Sequence, residues 1–319
     1  MGYFDNMIFN DEQLIQFTKP ISNAEDQKCK RAITVVINAL KNAGYTIHTG
    51  TLQDPSYATK ASLGDLKLTL FLQGSYANNT NVKLDSDIDV VVMLDSQFYP
   101  KYRDGVNGQD YGFSTAQKVD IKGKIYDALC QHIGASGVVT RKNKCITLKE
   151  NNWRVATDVV PCVEYRDYSN DFHFNANNYI SGIKITTDDG QEIINYPRLH
   201  LENGRKKNEE TNYYYKKVVR IIKNMRNLME ESGRSFSARY VSSFQLESLL
   251  WNISNQDFLQ YNDIYSLKFA RIVDILTQEK DKFTNCKEAN GIKPLFPTRD
   301  MLQIYQLFVD ELKSFYQWV

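Results

Sequence analysis

The sequence predicts an α+β fold in two lobes, a sheet-bearing lobe over residues 1–165 and a mainly helical lobe over residues 166–319. Three observations carry this expectation. The β-rich apolar runs at 66–72, 88–94 and 153–163 all lie before residue 165. Apolar residues at helical spacing dominate the second half. A chain of 319 residues is also long enough to bury more than one core.

A helix is expected from Ser22 or Asn23, with Glu25 and Asp26 in its first turn, where the helix dipole favours acids. Ala32, Val35, Val36, Ala39 and Leu40 recur at helical spacing, and Asn42-Ala43-Gly44 ends the element. Such a helix packs across the back of a sheet and is placed to span both lobes. Residues 66–72 read as a strand and Gly74-Ser75 as a turn. Residues 88–94, with β-branched side chains in series, read as a strand buried on both faces. Residues 98–112 read as a loop, from their Pro, Gly and Asn content. A helix is expected over 114–133, then strands over 138–148 and 153–163 about the turn Glu150-Asn151-Asn152. The polar stretch 172–195 reads as crossover loops or a small hairpin. A strong helix over 210–231 follows, with Val218, Ile221, Ile222, Met225, Leu228 and Met229 as its buried stripe. Further helices are expected over 242–253, 264–278 and 298–318.

Lysine plus arginine (39) nearly balance aspartate plus glutamate (38), for a formal net charge of +1. That argues against a chain whose main task is to coat nucleic acid. No apolar run approaches the ~20 residues of a membrane span. The first residues lack the basic flank and apolar segment of a secretory signal, and Asn6 stands where a myristoylation signal wants Ser or Thr. A cytoplasmic protein is expected. Cys29, Cys130, Cys145, Cys162 and Cys286 form no CxxC pair, and the four histidines are dispersed, so reduced thiols are expected and no zinc site.

The chemistry concentrates around residue 88. Asp87 and Asp89 are separated by one apolar residue at the start of a strand, so both project to one side. Two like charges held together repel and raise one pKa, a conflict that an oxygen-preferring divalent metal such as Mg²⁺ resolves. Asp158 sits inside a third apolar, β-rich run. Alone it reads equally well as an edge residue facing water; beside Asp87 and Asp89 it reads as the third member of a metal cage. Lys216, Arg220 and Lys223 share one face of the 210–231 helix. Such a face is ordinarily solvated, but opposite a metal-bound triphosphate it would hold phosphate oxygens. Asp85-Ser86-Asp87-Ile88-Asp89 is not a calcium loop, since Val90 and Ser96 replace its required Gly and Glu; Asp85 reads as a loop residue adding negative potential.

Gly74-Ser75, then Asp87-Ile88-Asp89, then Asp158 on a later strand resembles the polymerase β-type nucleotidyltransferase superfamily. GSYANNTNVKLDSDIDVVV, TDVVPCVEY, INYPRLHLENG and KKVVRIIKNMRN further resemble the bacterial cGAS/DncV-like nucleotidyltransferases, nearest the clade called CdnE. The resemblance implies a bilobal fold, a mixed-sheet lobe plus a helical C-terminal lobe, with a central active-site cleft. It implies two Mg²⁺ ions, replaceable by Mn²⁺, on Asp87, Asp89 and Asp158, with Gly74 and Ser75 holding the donor triphosphate. Lys216 and Ser243 would be further triphosphate contacts. Asn195 falls where relatives place a base-reading residue, which in this clade goes with accepting uridine; it reads equally as a turn residue before Tyr196-Pro197. Family members join nucleoside triphosphates, here ATP and/or UTP, into cyclic di- or trinucleotides that switch on a separate effector protein in antiphage signalling. A monomer is expected, and no DNA activator, because the zinc-bearing insertion of the animal DNA sensor is absent. Another nucleotidyltransferase (oligoadenylate, poly(A), CCA-adding or small-molecule-modifying) or a catalytically dead module on this fold remain alternatives at this point.

Overall fold

The computed structural model describes residues 9–48, 59–82, 87–113, 119–134 and 137–316. In chain order it begins α1 (Asp11–Phe17), α2 (Asn23–Asn42), β1 (Thr46–His48), β2 (Thr59–Leu63), β3 (Leu66–Gln73), α3 (Gly74–Ala77) and β4 (Ile88–Lys101). Next come α4 (Ile121–Ile133), β5 (Val139–Arg141), β6 (Ile146–Leu148), β7 (Thr157–Asp167), β8 (Ile180–Thr186) and β9 (Glu192–Asn195). The helices α5 (Pro197–Glu210), α6 (Tyr214–Glu231), α7 (Ser243–Trp251), α8 (Asn255–Leu259), α9 (Tyr265–Gln278) and α10 (Arg299–Phe315) follow. One compact unit comprises Ser22–Ala77 and Ser86–Arg198; the other comprises Met1–Ile21, Asn78–Asp85 and Leu199–Val319.

The first unit is built on one mixed sheet of nine strands among the described residues. β1, β2, β3 and β4 are successive antiparallel neighbours, and β4 then pairs with β7 in parallel. β7 is long enough to pair twice, its first half with β6 and its second with β8. One sheet face carries Phe71, Val91, Met93, Val160, Cys162 and Ile183 as a core cluster. α2 and α4 pack together and against the central strands, covering the other face. α2 starts with a capping box, Ser22 with Glu25. Because β8 and β9 extend the sheet from β7, this unit runs to Arg198 rather than ending near residue 165. It also holds the whole of α2.

The second unit packs α6, α7, α9 and α10 around Val218, Ile222, Met225, Leu249, Ile272 and Phe308, all buried. Asn78–Asn81, the residues after α3, pack with this unit although α3 belongs to the first.

Four expectations need correction. β4 does not stop at Leu94: a register shift between Leu94 and Phe98 lets it resume pairing with β7 through Lys101, so the loop expected over 98–112 begins later. The strand expected over 138–148 is a hairpin of two short strands, β5 and β6. α5 was not expected, because its buried side is made of His200, Leu201, Gly204 and Lys207, a set with little apolar periodicity. Asn212 and Tyr213, at φ +47° and +65°, break it from α6. Helix α4 begins at Ile121 behind its cap Asp120, and expectations for 114–118, Asp85 and 317–319 lie outside the described residues.

Candidate active site

Asp89 stands second in β4 and Asp158 second in β7, and these parallel strands run in register with Asp89 opposite Asp158. Neighbouring strands lie about 4.8 Å apart, so the period-two alternation sets both carboxylates side by side on one face. It is the face that carries Phe71, Val91, Met93, Val160 and Cys162 further along. Asp87, exposed, precedes β4 by one residue. The crowding has an electrostatic signature: the Asp89 carboxyl is pushed up to about 7 by burial first, then by the charges of Asp158 and Asp87. Asp158 is steadied by its register partner on β6, Thr147, whose hydroxyl donates to Oδ1 at 2.6 Å.

The Gly-Ser turn is delivered to the same place. Gln73, the last residue of β3, is the register partner of Asp89, and Gly74 opens α3 directly after it. Gly74 has φ +71°, and a Cβ there would run into Asp89 Oδ2. Glycine is therefore required twice, by backbone and by close approach. The Tyr76 hydroxyl donates to Asp26 Oδ1 on α2 at 2.8 Å, tying α3 to that helix. Gly74→Ala is expected to displace the carboxylate or the turn and to lower kcat/KM by about 100-fold. Steady-state synthesis assays, with Tm as the folding control, would read this, and full activity in the alanine variant would refute the close-approach account.

Among the described residues, Asp87, Asp89 and Asp158 included, no group of three or more His, Cys, Asp or Glu side chains is placed to hold a metal ion. The donor set nonetheless fits Mg²⁺. That ion takes one or two carboxylates and completes its shell with water and phosphate oxygens instead of a protein cage. A carboxyl raised by burial and by a second carboxylate beside it is one that a divalent ion would relieve.

Asn195 ends β9 opposite Ile183 of β8, so its side chain belongs to the carboxylate face as well. Lys216 and Ser243 lie in the other unit. Burial lowers the Lys216 ammonium to about 8, against the pull of Glu247 and together with Arg205 and Arg220. Ser243 opens α7 behind its cap, Ser242, and its hydroxyl accepts from Arg226 Nη2 at 3.0 Å.

The other two cations of the α6 face are not solvated, nor do they line an open groove. Arg220 donates through Nε to Thr18 O at 2.6 Å and through Nη1 to Asn79 O. Lys223, with no exposure, donates to Thr80 O at 3.0 Å and to its hydroxyl at 3.3 Å. Both charges therefore hold the backbone that follows the Gly-Ser helix. Beneath them Glu247 is 2% exposed; it accepts from the Thr80 hydroxyl at 2.7 Å and lies 2.9 Å from His200 Nε2. Burial alone would raise the Glu247 carboxyl, but His200, Lys223 and Thr80 outweigh it and hold it down at about 2.

Two family models match the chain, the nucleotidyltransferase domain over residues 59–151 and the cGAS/DncV-like nucleotidyltransferase C-terminal helical domain over residues 202–317. The cyclic GMP-AMP synthase CdnE03 of Staphylococcus schleiferi is 38% identical over 98% of this chain and 98% of its own. The chain is a cGAS/DncV-like nucleotidyltransferase of the CdnE clade. Solved CdnE structures match it over nearly their whole length. The Rhodothermus marinus CdnE c-UMP-AMP synthase with Apcpp and Upnpp superposes with TM-score 0.76 at 26% identity, over 96% of this chain and 97% of that one. The Elizabethkingia meningoseptica CdnE cyclic dinucleotide synthase with GTP and Apcpp gives TM-score 0.72 at 29% identity, over 96% and 98%. The expected polymerase β-like mixed sheet with a helical C-terminal domain is the fold of this CdnE-clade enzyme, and its activity is that of a cyclic nucleotide synthase. Among its described residues no helix is long and apolar enough to cross a membrane.

Sequence reading missed Thr147 and Glu247 in this CdnE-clade chain. Thr147 carries no signal of its own, because a threonine in a strand is unremarkable. Glu247 does carry one: an acid inside the apolar run of α7, SFQLESLLW, is costly to bury without partners.

Proposed function

We propose that this enzyme condenses nucleoside triphosphates into a cyclic di- or trinucleotide, releasing pyrophosphate, with ATP and UTP among its substrates. The observation that carries the reading is the parallel register of Asp89 with Asp158, with Gly74 forced against the same carboxylate. Asp87, Asp89 and Asp158 would hold two Mg²⁺ ions, or Mn²⁺ in their place. Bound there, the ions supply charge neutralisation at the triphosphate and a lowered pKa for the attacking hydroxyl. The chain's own part is positional. Thr147 fixes the carboxylate of Asp158 by its hydrogen bond, and Ser75 on α3 offers a hydroxyl and backbone N–H to triphosphate oxygens. Lys216 and Ser243 would be further triphosphate contacts, and Asn195, on the carboxylate face, would read a base edge with both a donor and an acceptor. Little else is needed, because phosphoryl transfer rests on positioning and electrostatics.

The two solved relatives carry an adenine nucleotide analogue together with a uridine or a guanosine nucleotide, so base choice differs within the clade. In this reading the product switches on a separate effector protein in antiphage signalling. The enzyme acts as a cytoplasmic monomer without a DNA activator. The test is omission of one triphosphate at a time, with mass analysis of the products. Loss of product on omitting ATP or UTP supports the substrate assignment, and undiminished product without either overturns it.

A further inference from the structure

Arg198, the second residue of α5, is the last residue of the sheet unit. Its guanidinium carbon lies 5.0 Å from the centroid of the Phe71 ring. With Phe71, Met93, Gly182, Ile183 and Pro197 it lines a narrow apolar crevice. Phe71 and Met93 belong to the face that carries Asp89 and Asp158. Phe71 is two residues from Gln73, the register partner of Asp89, a distance of about 7 Å along a strand. The guanidinium thus stands over the face that carries the two carboxylates further along.

Two features distinguish Arg198 from an ordinary surface arginine. It is exposed, and among the described residues no carboxylate pairs with it; its partner is an aromatic ring, which orients the planar group and leaves its N–H edge open. Second, its backbone is drawn onto the sheet. A Cβ on Gly182 would lie 2.8 Å from Asn195 O and 3.0 Å from the Tyr196 ring, so only glycine at 182 lets the turn bearing Asn195 and Arg198 settle against β8.

We propose that Arg198 reads the carbonyl edge of a guanine or uracil base at one of the two nucleotide positions and disfavours adenine there. A guanidinium only donates hydrogen bonds. Guanine presents O6 and N7 as paired acceptors and uracil presents O4, whereas adenine sets its N6 amino donor beside N7. A fixed donor fork therefore separates these bases with no contribution from shape. Arg198 would work from the same wall as Asn195, whose amide accepts as well as donates, and this inference rests on the base-reading role given to that wall under Proposed function.

The test uses the full-length protein and two variants, Arg198→Met, which keeps an apolar stem over Phe71, and Arg198→Lys, which keeps the charge but loses the fork. ATP, GTP, CTP and UTP are compared singly by calorimetric binding and together by mass analysis of the product. The expected result is a loss of about 10- to 100-fold for GTP or UTP in Arg198→Met, with ATP little changed, Tm unchanged and adenine enriched in the product. Arg198→Lys should fall between. The arms for GTP and UTP say which carbonyl base is read. Equal loss for all four triphosphates would place the guanidinium on phosphate oxygens and overturn the proposal, as would unchanged discrimination. A wild-type protein that binds triphosphates but makes no cyclic product would strike the functional assignment, while the binding comparison would still decide the role of Arg198.

Discussion

Asp89→Asn is expected to lower cyclic nucleotide synthesis by about 10³-fold or more while leaving the fold intact. Asp89 faces Asp158 across parallel strands and touches the space that Gly74 leaves open. Removing its charge withdraws several kcal/mol of charge stabilisation from the transferring phosphoryl group, roughly 10³-fold at 1.36 kcal/mol per decade. The same substitution should alter stability with pH. The folded Asp89 carboxyl is raised to about 7 from the ordinary 3.8, by burial and then by Asp158 and Asp87. The folded state therefore binds the extra proton between these values, and stability from this group is present at low pH and lost as pH rises toward 7. In EDTA the wild type should lose Tm between pH 5 and pH 8 more steeply than Asp89→Asn. Mg²⁺ should restore Tm at pH 8 in the wild type, because binding to the folded state alone stabilises it. An equal Mg²⁺ response in the variant would contradict the role of Asp89 as a ligand, and retained synthesis would overturn the site.

The second large effect is expected far along the chain. Glu247→Gln should destabilise the protein by about 3 kcal/mol or more, since removing one member of a buried ionic cluster strands the others. Lys223 and His200 both lie buried against Glu247, and Thr80 donates to it. A loss of that size corresponds to a Tm lower by roughly 6–12 °C. The pH sign is opposite to that of Asp89. The Glu247 carboxyl is held at about 2 below an ordinary 4.5, so its contribution is present above 4.5 and is lost as pH falls toward 2. Pairing Glu247→Gln with Lys223→Met should recover part of the loss, because the second change removes the stranded ammonium. A change within about 0.5 kcal/mol in the single variant, read by denaturant unfolding, would contradict the account.

These two sites differ in how far they were legible. Asp87, Asp89, Gly74 and Ser75 lie within sixteen residues, and strand periodicity is enough to set the two aspartates on one side. Asp158 was readable as a carboxylate out of place in an apolar run, but its partner was not: in-register pairing of β4 with β7 is a long-range fact. The α6 cations show the limit of local reasoning. Helical spacing placed Lys216, Arg220 and Lys223 on one face, yet Arg220 and Lys223 are occupied by carbonyls of Thr18, Asn79 and Thr80. Those segments arrive from 141 or more residues away in sequence, and no pattern within α6 announces them. The missed helix α5 and the bulged continuation of β4 have the same cause, since tertiary partners supplied the order that composition argued against.

The measurement that tests the central claim most directly is the phosphatase resistance of the product. Purified protein, Mg²⁺ and labelled nucleoside triphosphates are incubated, treated with phosphatase and resolved by mass. The account predicts a cyclic product without terminal phosphates, formed by the wild type and lost in Asp89→Asn. Linear, phosphatase-sensitive oligomers, or label transferred only to tRNA, would contradict it.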